Sequence, residues 1–346
     1  MSATPFRAVV LAAGYGLRLR PLTEFLPKPL LPLAGMAVAA HTLSQLAAAG
    51  CEEVALNLHH LGEKIRSRLG GAYQGMRLTW SAEEQILGTL GALVRLRPFL
   101  AGTKTALVIN GDSFCRWPIR RLLKRHRATG AAATLLLSTR APVESFNPVG
   151  VDVKGRVVSF GGGRSYGEIG RRRVFAGAHC LDPARLDGLE EGRAELVTGL
   201  WEPLLRRGET LAAVESRRRW HDLGTPARYL AAARDVARHA RGGRRRRPGG
   251  WIAPGGHADP SARLRRSVVE RGARVEADAE VEGSLILDGA RVTPGCRVHD
   301  SIVGFEVELP PGTAVEQRLV TAERADVEHG PTDSVLGGLV YTPIEG

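Results

Sequence analysis

The sequence predicts an α/β protein in two parts, a doubly wound, mostly parallel sheet and then a short left-handed parallel β-helix. The first observation is that apolar runs alternate with helical segments up to about residue 239, which is typical of right-handed βαβ units. The second is an Arg- and Gly-rich run at 240–250, too polar to pack. The third is a 17-residue repeat after that run, in which small and aliphatic residues recur at steps of six, as in hexapeptide β-helices.

The first part is predicted from continuous apolar runs and amphipathic segments. Predicted strands are 8–13, 53–58, 76–80, 105–109 and 132–138, and predicted helices are 36–49, 61–69, 117–129, 200–207 and 226–238. Between Gly150 and about Leu181, short glycine-rich runs predict a small β region inserted over the sheet. Ligands of such sheets lie beyond the carboxyl ends of the strands. The loop after Leu11 and the Asp after Ile109 are therefore expected to line one crevice.

The second part is predicted from the repeat. The triplets SVV at 267–269, SLI at 284–286 and SIV at 301–303 follow one another at the same interval. The predicted domains are a catalytic domain at 1–239, a basic linker at 240–250, a β-helix at 251–310 and a loosely ordered tail at 311–346. So short a β-helix has bare strand edges, and we expect it to pack on the first domain or on another subunit as a homo-oligomer.

Composition limits the class of protein. The 346 residues are 43% hydrophobic, and no apolar run reaches the roughly 20 residues that span a bilayer. Met1–Arg7 lacks the layout of a secretory signal, and the four cysteines are scattered, so we expect buried thiols and a cytoplasmic protein without a membrane partner. The net charge is +12 and Arg is concentrated at 241–247. Without a nucleic-acid-binding motif, this run favours a solvated linker over a nucleic-acid arm.

One stretch predicts phosphate binding: residues 9–35, VVLAAGYGLRLRPLTEFLPKPLLPLAG. Glycines after a buried strand let backbone N–H groups approach phosphate oxygens, and Arg matches two oxygens at once. The Walker-type pattern is absent from the sequence, and Leu19 stands where a dinucleotide-binding loop has its third glycine.

This stretch resembles the signature of sugar-1-phosphate nucleotidyltransferases, the nucleoside-diphosphate-sugar pyrophosphorylases: Leu-Ala-Ala-Gly-x-Gly-Thr-Arg-Leu-x-Pro-Leu-Thr and then Pro-Lys-Pro. Leu17 replaces the usual Thr or Ser, which removes a hydroxyl contact. The resemblance covers about residues 6–235 and, more loosely, the β-helix. It implies a Rossmann-like fold, an NTP and a sugar 1-phosphate as substrates, and Mg²⁺ as cofactor.

The resemblance also implies the catalytic residues. Asp112, in Asn-Gly-Asp, and Asp222, in Trp-His-Asp-Leu-Gly-Thr-Pro, would together hold Mg²⁺, although either alone could cap a helix or a turn. Arg18 would contact the triphosphate and stabilise its developing charge. Lys28 would contact the α-phosphate or the sugar phosphate, where a compact ammonium is wanted.

Further site residues follow from the remaining motifs. Those implied for the nucleotide are Leu11, Ala12, Ala13, Gly14, Gly16, Glu83, Gly88, Thr89 and Gly111. Those implied for the sugar phosphate are Gly150, Gly177 and Arg164. The last group departs from the family, because Gly161-Gly162-Gly163-Arg164 replaces Glu-Lys-Pro and Phe175-Ala176-Gly177-Ala178 alters Asn-Ala-Gly. Arg164 or one of the arginines at 171–173 would take over, or the phosphate is held differently.

The predicted function is Mg²⁺-dependent transfer of a nucleoside monophosphate to a sugar 1-phosphate. The Glu-Glu-x-x-Leu-Gly-Thr form at 83–89 favours the mannose-1-phosphate guanylyltransferase branch. Uridylyl or thymidylyl transfer to another hexose phosphate is the first alternative. A non-catalytic homologue that binds a nucleotide sugar and regulates a partner is the second, and a nucleic-acid binder acting through 241–247 is the third.

Overall fold

The computed structural model describes residues 6–240, 243–246 and 249–345. Contacts divide the chain into two compact units that do not follow chain order. The first unit consists of Met1–Tyr15 and Ala39–Trp220, and the second of Gly16–Val38 and His221–Gly346. The stretch predicted to bind phosphate is therefore divided, with its strand in the first unit and its arginines and Pro-Lys-Pro in the second.

The elements are numbered in chain order. The helices are α1 (Leu22–Phe25), α2 (Val38–Ala48), α3 (Gly62–Leu69), α4 (Gly88–Arg95), α5 (Arg97–Leu100), α6 (Ile119–Thr129), α7 (Glu202–Arg206) and α8 (Pro226–Ala237). Strands up to residue 222 are β1 (Arg7–Leu11), β2 (Glu53–Leu58), β3 (Ala72–Tyr73), β4 (Met76–Ala82), β5 (Ala106–Asn110), β6 (Ser113–Cys115), β7 (Ala133–Ser138), β8 (Pro148–Val151), β9 (Val157–Phe160), β10 (Arg171–Leu181), β11 (Leu211–Ser216) and β12 (Trp220–Asp222).

The later strands are short. They are β13 (Arg244–Arg246), β14 (Gly250–Ile252), β15 (His257–Ala258), β16 (Arg263–Arg265), β17 (Val268–Val269), β18 (Arg274–Val275), β19 (Glu280–Glu282), β20 (Leu285–Ile286), β21 (Arg291–Val292), β22 (Arg297–His299), β23 (Ile302–Val303), β24 (Glu308–Leu309), β25 (Ala314–Glu316), β26 (Arg318–Ala322), β27 (Ser334–Leu336) and β28 (Leu339–Pro343).

The first unit is built on one mixed sheet, in the order β11-β7-β10-β5-β1-β2-β4-β3. β1 pairs in parallel with β2 and with β5, and β2 with β4. These strands are almost wholly buried, as the continuous apolar runs predict. The predicted α/β sheet is confirmed.

β10 differs from the prediction of a small β region over the sheet. It is an eleven-residue strand inside the sheet, antiparallel to β5 and to β7, and its end Val174–Leu181 is nearly all buried. Gly177 and His179 interrupt the apolar run, which made it resemble a loop region. β8 and β9 do extend from its N-terminal half, as predicted.

The second unit contains the β-helix. Three sheets of parallel strands have the orders β14-β17-β20-β23-β26, β15-β18-β21-β24 and β16-β19-β22-β25. Successive partners are 17 residues apart, for example Val268 with Leu285 and Leu285 with Ile302. The interior holds the residues recurring at steps of six, including Ala273, Ala279 and Ala290, all fully buried.

The serine of each triplet has a structural role, because its hydroxyl group bonds to the backbone of the next coil. The hydroxyl of Ser267 accepts the N–H of Ser284 at 3.1 Å, and that of Ser284 accepts the N–H of Ser301 at 3.0 Å. The Ser284 hydroxyl also donates to the Glu282 carbonyl at 2.7 Å. These serines are buried, so the ladder satisfies backbone groups that the β-helix cannot pair otherwise.

We expect Ser284→Ala to lower the free energy of unfolding by about 1–3 kcal/mol, because the buried N–H of Ser301 loses its acceptor. Urea denaturation followed by circular dichroism measures this. The matched control is Ser334→Ala on an exposed strand, for which we expect a change within about 0.5 kcal/mol. Equal midpoints for the two variants would contradict the assigned role of the ladder.

The ends of the β-helix differ from the predicted tail and linker. The loosely ordered tail predicted at 311–346 is wrong for the described residues, since β25 and β26 continue the coils and β28 and β27 pair antiparallel beside β26. The polar and glycine-rich composition hid these strands. Of the predicted linker, residues 241, 242, 247 and 248 lie outside the described residues, whereas β13 pairs antiparallel with β14.

Membrane crossing is not supported by any helix among the described residues, because none is both long and apolar enough. All four cysteines are buried and free, in agreement with the prediction.

Candidate active site

The carboxyl edge of the sheet in the first unit brings the glycine loop and Asp112 together. The Gly111 N–H donates to the carbonyl of Leu11 at 2.8 Å. A Cβ on Gly111 would lie only 2.7 Å from that carbonyl oxygen, so this close approach requires glycine. Asp112, half-buried, is thereby fixed beside the point where the loop leaves β1. The structure confirms that these two features share one edge.

A buried polar network ties this loop to the segment around Glu83. The Ala12 N–H donates to Asn57 Oδ1 at 2.7 Å, and Asn57 Nδ2 donates to Glu83 Oε1 at 2.8 Å. Glu83 Oε2 accepts the N–H of Leu87 at 3.0 Å. The Glu83 carboxylate is thus engaged with the protein and shapes the loop that leads into α4. Asn57 was missed from sequence, although a polar residue in the buried strand β2 was a signal for it.

Tyr15 and His59 extend this network. His59 Nδ1 lies 2.8 Å from the Glu83 carbonyl oxygen, and its Nε2 lies 3.0 Å from the Tyr15 hydroxyl. The Tyr15 ring packs edge-on against His59, with centroids 5.2 Å apart, and is 43% exposed. His59 directly follows β2. The glycine loop therefore has side-chain support on the side of the Glu83 segment.

The Gly88-Thr89-x-Gly91 segment begins α4 and packs on residues 192–196. Thr89 Oγ1 donates to Glu195 Oε2 at 2.7 Å and accepts the N–H of Leu196 at 2.9 Å. The carbonyl of Ala194 accepts the N–H groups of Leu90 and Gly91. The Thr89 hydroxyl thus joins two chain segments at the mouth of this loop.

Gly91→Ala is expected to lower the free energy of unfolding by about 1–3 kcal/mol through overpacking. Its Cβ would overlap the backbone carbonyl of Gly192, which cannot move as a side-chain end can. Gly162→Ala is the control, because nothing lies within 4 Å of its Cβ position. Thermal and urea denaturation of both variants measure the difference, and equal stability would refute the packing role.

The glycines predicted for the sugar phosphate are constrained by packing. A Cβ on Gly150 would overlap Ser159 Oγ, and one on Gly177, whose φ is +76°, would lie 2.8 Å from Ser113 Oγ. The Ser113 hydroxyl is buried next to Asp112 and has no hydrogen-bond partner among the described residues. Gly177 therefore lies at the same carboxyl edge as Asp112.

Several arginines were predicted to take over from the lysine of the family's Glu-Lys-Pro motif, and they have different contacts. Arg171 and Arg173 both bind Glu215, at 2.5 and 2.8 Å. Burial raises the pKa of Glu215, but the hydrogen bonds from the two guanidinium groups outweigh it and lower the pKa. The exposed Arg164 lies over the Tyr166 ring, with Cζ 5.4 Å from the centroid. Arg164 therefore keeps more freedom to meet a ligand than Arg171 or Arg173.

In the second unit, Gly16 starts the segment that carries Arg18. Its φ is +68°, and a Cβ there would lie 2.7 Å from Thr23 Cγ2. Thr23 Oγ1 donates to the Gly16 carbonyl at 3.1 Å. Leu17 is 56% exposed, so its side chain replaces the family's hydroxyl without entering a core. The turn Leu17–Leu19 presents Arg18 on the surface.

Asp222 and Arg18 face the same glycine. A Cβ on Gly224 would lie 2.9 Å from Arg18 Nη2 and 2.9 Å from Asp222 Oδ2. Arg228 Nη1 also binds Asp222 Oδ2. Arg228 is in the first turn of α8, which Thr225 caps by accepting the N–H of Arg228 at 3.3 Å. The Asp-Leu-Gly-Thr-Pro motif thus supplies the Asp222 carboxylate, the glycine that leaves room for Arg18, and the cap of α8. Arg228 was missed from sequence.

Lys28 lies in the single turn Lys28–Leu30 and is only 7% exposed. Pro27 and Pro29 set the backbone of this turn. A buried lysine on a rigid turn is suited to contact one phosphate in a defined position.

The predicted metal ligands are compatible with Mg²⁺. Within the part of the chain that is described, no three His, Cys, Asp or Glu side chains cluster to hold a metal by themselves. Mg²⁺ uses one or two carboxylates and completes its shell with water and phosphate. Asp112 in the first unit and Asp222 in the second are each a carboxylate, the type of ligand that this requirement names.

Comparison with known proteins agrees with this chemistry. The family model described as nucleotidyl transferase matches residues 7–239, and the one described as GlmU-like, C-terminal hexapeptide matches residues 248–326. Mannose-1-phosphate guanylyltransferase of Mycobacterium tuberculosis is 32% identical over 234 residues, which cover 67% of this chain and 64% of that protein. UTP–glucose-1-phosphate uridylyltransferase of a Synechocystis species is 29% identical over 246 residues, covering 66% and 63%. The chain therefore spans less than two thirds of the length of either relative.

A solved structure shares the fold of the first part. The crystal structure of HddC from Yersinia pseudotuberculosis matches with a TM-score of 0.56 and 19% identity, over 66% of this chain and 98% of that one. At this identity the likeness concerns the fold alone.

Proposed function

Since the chain belongs to the nucleotidyl transferase family, we propose that it transfers a nucleoside monophosphate from an NTP to a sugar 1-phosphate and releases pyrophosphate. GTP and mannose 1-phosphate are the proposed substrates, because a guanylyltransferase is 32% identical. Uridylyl transfer to glucose 1-phosphate is the second candidate, favoured by the uridylyltransferase at 29% identity.

The observation that supports the proposal most directly is the 2.8 Å hydrogen bond between Gly111 and Leu11. It places a carboxylate beside a glycine loop whose N–H groups can receive phosphate. A carboxylate beside such N–H groups suits a reaction between two phosphate anions. Acyl transfer would need an activated nucleophile, and hydride transfer a redox cofactor.

In the proposed reaction, a phosphate oxygen of the sugar 1-phosphate attacks the α-phosphorus of the NTP. The new oxygen–phosphorus bond forms as the bond from the α-phosphorus to the bridging β-phosphate oxygen breaks, and pyrophosphate leaves with its electron pair. The attacking oxygen is already ionised near neutral pH, so no general base is required. Catalysis then consists of positioning and charge neutralisation.

The proposed roles of the residues follow from this need. Arg18 binds the triphosphate and Lys28 a phosphate at the reacting centre, while Asp112 and Asp222 are the proposed Mg²⁺ ligands. When bound, Mg²⁺ supplies positive charge to the phosphate oxygens. The Glu83–Thr89 segment faces the base, and Gly150, Gly177 and Arg164 the sugar phosphate.

Compartment and assembly are also proposed. Four buried free cysteines support a reducing compartment such as the cytoplasm. The hexapeptide match supports a homo-oligomer formed through the β-helix, and Leu336 on β27, in the antiparallel pair beside β26, is 73% exposed. Light scattering of Leu336→Glu against the parent protein measures this assembly.

The test is pyrophosphate release with the four triphosphates and a panel of sugar 1-phosphates, with Mg²⁺. We expect GTP with mannose 1-phosphate to give the highest kcat/KM. The highest value with UTP or dTTP would move the assignment to the second candidate. No turnover with any pair, by protein whose folding is verified by circular dichroism, would refute the enzymatic function.

A further inference from the structure

A tight hairpin at residues 32–37 follows Lys28 in the second unit. Pro32 and Ala37 form its bridge, and the Leu33 N–H donates to the Met36 carbonyl at 2.8 Å. The two turn residues, Ala34 and Gly35, have φ values of 54° and 81°. Consecutive left-handed residues define a type I′ turn, and alanine adopts this region only under strain. Something outside the hairpin must therefore hold its tip.

A buried carboxylate of the β-helix holds it. Glu270 follows β17 and is completely buried. Its Oε1 accepts the N–H of Ala34 at 2.8 Å, and its Oε2 accepts the N–H of Gly35 at 2.7 Å. Successive N–H groups of such a turn point the same way and form an anion-binding nest. The two oxygens of Glu270 thus accept hydrogen bonds from the two N–H groups of the strained turn.

The tip is also enclosed sterically. A Cβ on Gly35 would lie 3.2 Å from the ring of Trp251 and 3.5 Å from Ala253. Arg271 Nη2 lies 3.5 Å from the Gly35 carbonyl. The turn is therefore seated against the β-helix, and it cannot shift without losing these contacts.

The buried position of Glu270 also changes its titration. Burial raises the pKa of Glu270 to about 8, although the hydrogen bonds from Gly35 and Ala34 lower it. A carboxyl group whose pKa is raised on folding binds more protons in the folded state, so its contribution to stability falls as pH rises from about 4.5 to about 8.

Backbone hydrogen bonds connect the hairpin to the turn that contains Lys28. The Val38 N–H donates to the Leu31 carbonyl at 3.1 Å, and the Leu31 N–H donates to the Lys28 carbonyl at 3.2 Å. The Tyr229 hydroxyl, itself fully buried, donates to the Pro32 carbonyl at 2.5 Å. An unbroken set of backbone bonds therefore connects the tip held by Glu270 to the turn that carries Lys28.

We propose that Glu270 is a positioning residue for nucleotidyl transfer, which by holding the tip of the 32–37 hairpin sets the place of Lys28. The β-helix then takes part in the reaction of its own chain, through a residue that touches no substrate. This inference rests on the proposed function.

A double-mutant cycle tests it in the full-length protein. Glu270→Gln keeps the size of the side chain but offers only one acceptor oxygen. We expect it to lower kcat/KM by about tenfold, as the loss of one buried hydrogen bond allows. Lys28→Ala should lower kcat/KM more, and adding Glu270→Gln to Lys28→Ala should change it by less than about twofold, because the two act as a unit. The proposal would be overturned if the loss in the double variant equalled the product of the two single losses, or if Glu270→Gln kept full activity.

Two further variants sharpen the result. Glu282→Gln, which removes a carboxylate paired with Arg265 and Arg266 at the surface of the β-helix, should keep the parent activity. Ala34→Gly relieves the left-handed strain, so adding it to Glu270→Gln should restore part of the lost activity. Absence of any recovery would contradict the route through the turn.

Hydrogen exchange separates this inference from the proposed function. Parent protein without turnover would refute the function, whereas exchange at the Ala34 and Gly35 amides reports the hairpin directly. We expect Glu270→Gln to accelerate exchange at both amides and through residues 28–31, with little change in the β-helix coils. Unchanged exchange would show that Glu270 does not hold the tip.

Discussion

Asp112→Asn is expected to lower kcat about 1000-fold, the scale of losing one preorganised electrostatic group at a reacting phosphate. Asparagine has nearly the same size, so the Gly111–Leu11 bond at this edge should persist. The neutral amide, however, binds Mg²⁺ much less well than a carboxylate does. Pyrophosphate release at saturating substrates measures kcat, and calorimetry of nucleotide-sugar binding should show a much smaller change.

The control for this variant is Asp187→Asn, which changes an exposed carboxylate in the same unit and should leave kcat unchanged. Activity of Asp112→Asn within tenfold of the parent would exclude Asp112 as a metal ligand. Tight nucleotide-sugar binding without turnover in the parent would instead support the regulatory homologue considered from the sequence.

Arg18→Ala is expected to lower kcat/KM by about 100- to 1000-fold, because a guanidinium that neutralises charge developing on the leaving pyrophosphate is lost. Arg18→Lys should recover only part of the activity, since an ammonium cannot bind two oxygens in the planar, bidentate way. Initial rates over a range of NTP concentrations separate the effect on kcat from that on KM.

Arg20 provides a matched control for Arg18. Both are exposed arginines of the same segment, but Arg20 pairs with Glu24, four residues further on, at 2.5 Å, whereas Arg18 faces Gly224 beside Asp222. We expect Arg20→Ala to change kcat/KM by less than about threefold, as for an exposed ion pair. Similar losses in the two variants would show that general positive charge, and not the position of Arg18, matters.

The parts of the fold that sequence predicted are those with one strong physical signal. The apolar runs at β1, β2 and β5 could be assigned because strands buried on both faces are continuously apolar. The coils could be assigned because a serine recurs at 267, 284 and 301, where its hydroxyl accepts a backbone N–H group of the next coil. β10 was misassigned because Gly177, which lies close to Ser113, and the buried His179 interrupt its apolar run.

The site divides in the same way. Asp112, Asp222, Arg18 and Lys28 stand in motifs whose residue types suit phosphate chemistry, so sequence alone could propose them. Glu270, by contrast, is one acidic residue among many in a repetitive segment, and only its hydrogen bonds to a turn far away in the chain distinguish it. Residues that support a site through long-range contacts leave no local signal.

The sequence separation of those contacts has a consequence for synthesis in the cell. Ala34 and Gly35 bond to a carboxylate 236 and 235 residues further along the chain, and the Glu24 carbonyl meets Arg324, 300 residues away. The N-terminal segment leaves the ribosome first and waits for partners that emerge near the end of translation. We expect its leucines, including Leu31 and Leu33, which are fully buried in the folded protein, to stay exposed until then. A nascent chain stalled before the β-helix would thus hold the predicted phosphate-binding motif without the contacts of Ala34 and Gly35 with Glu270.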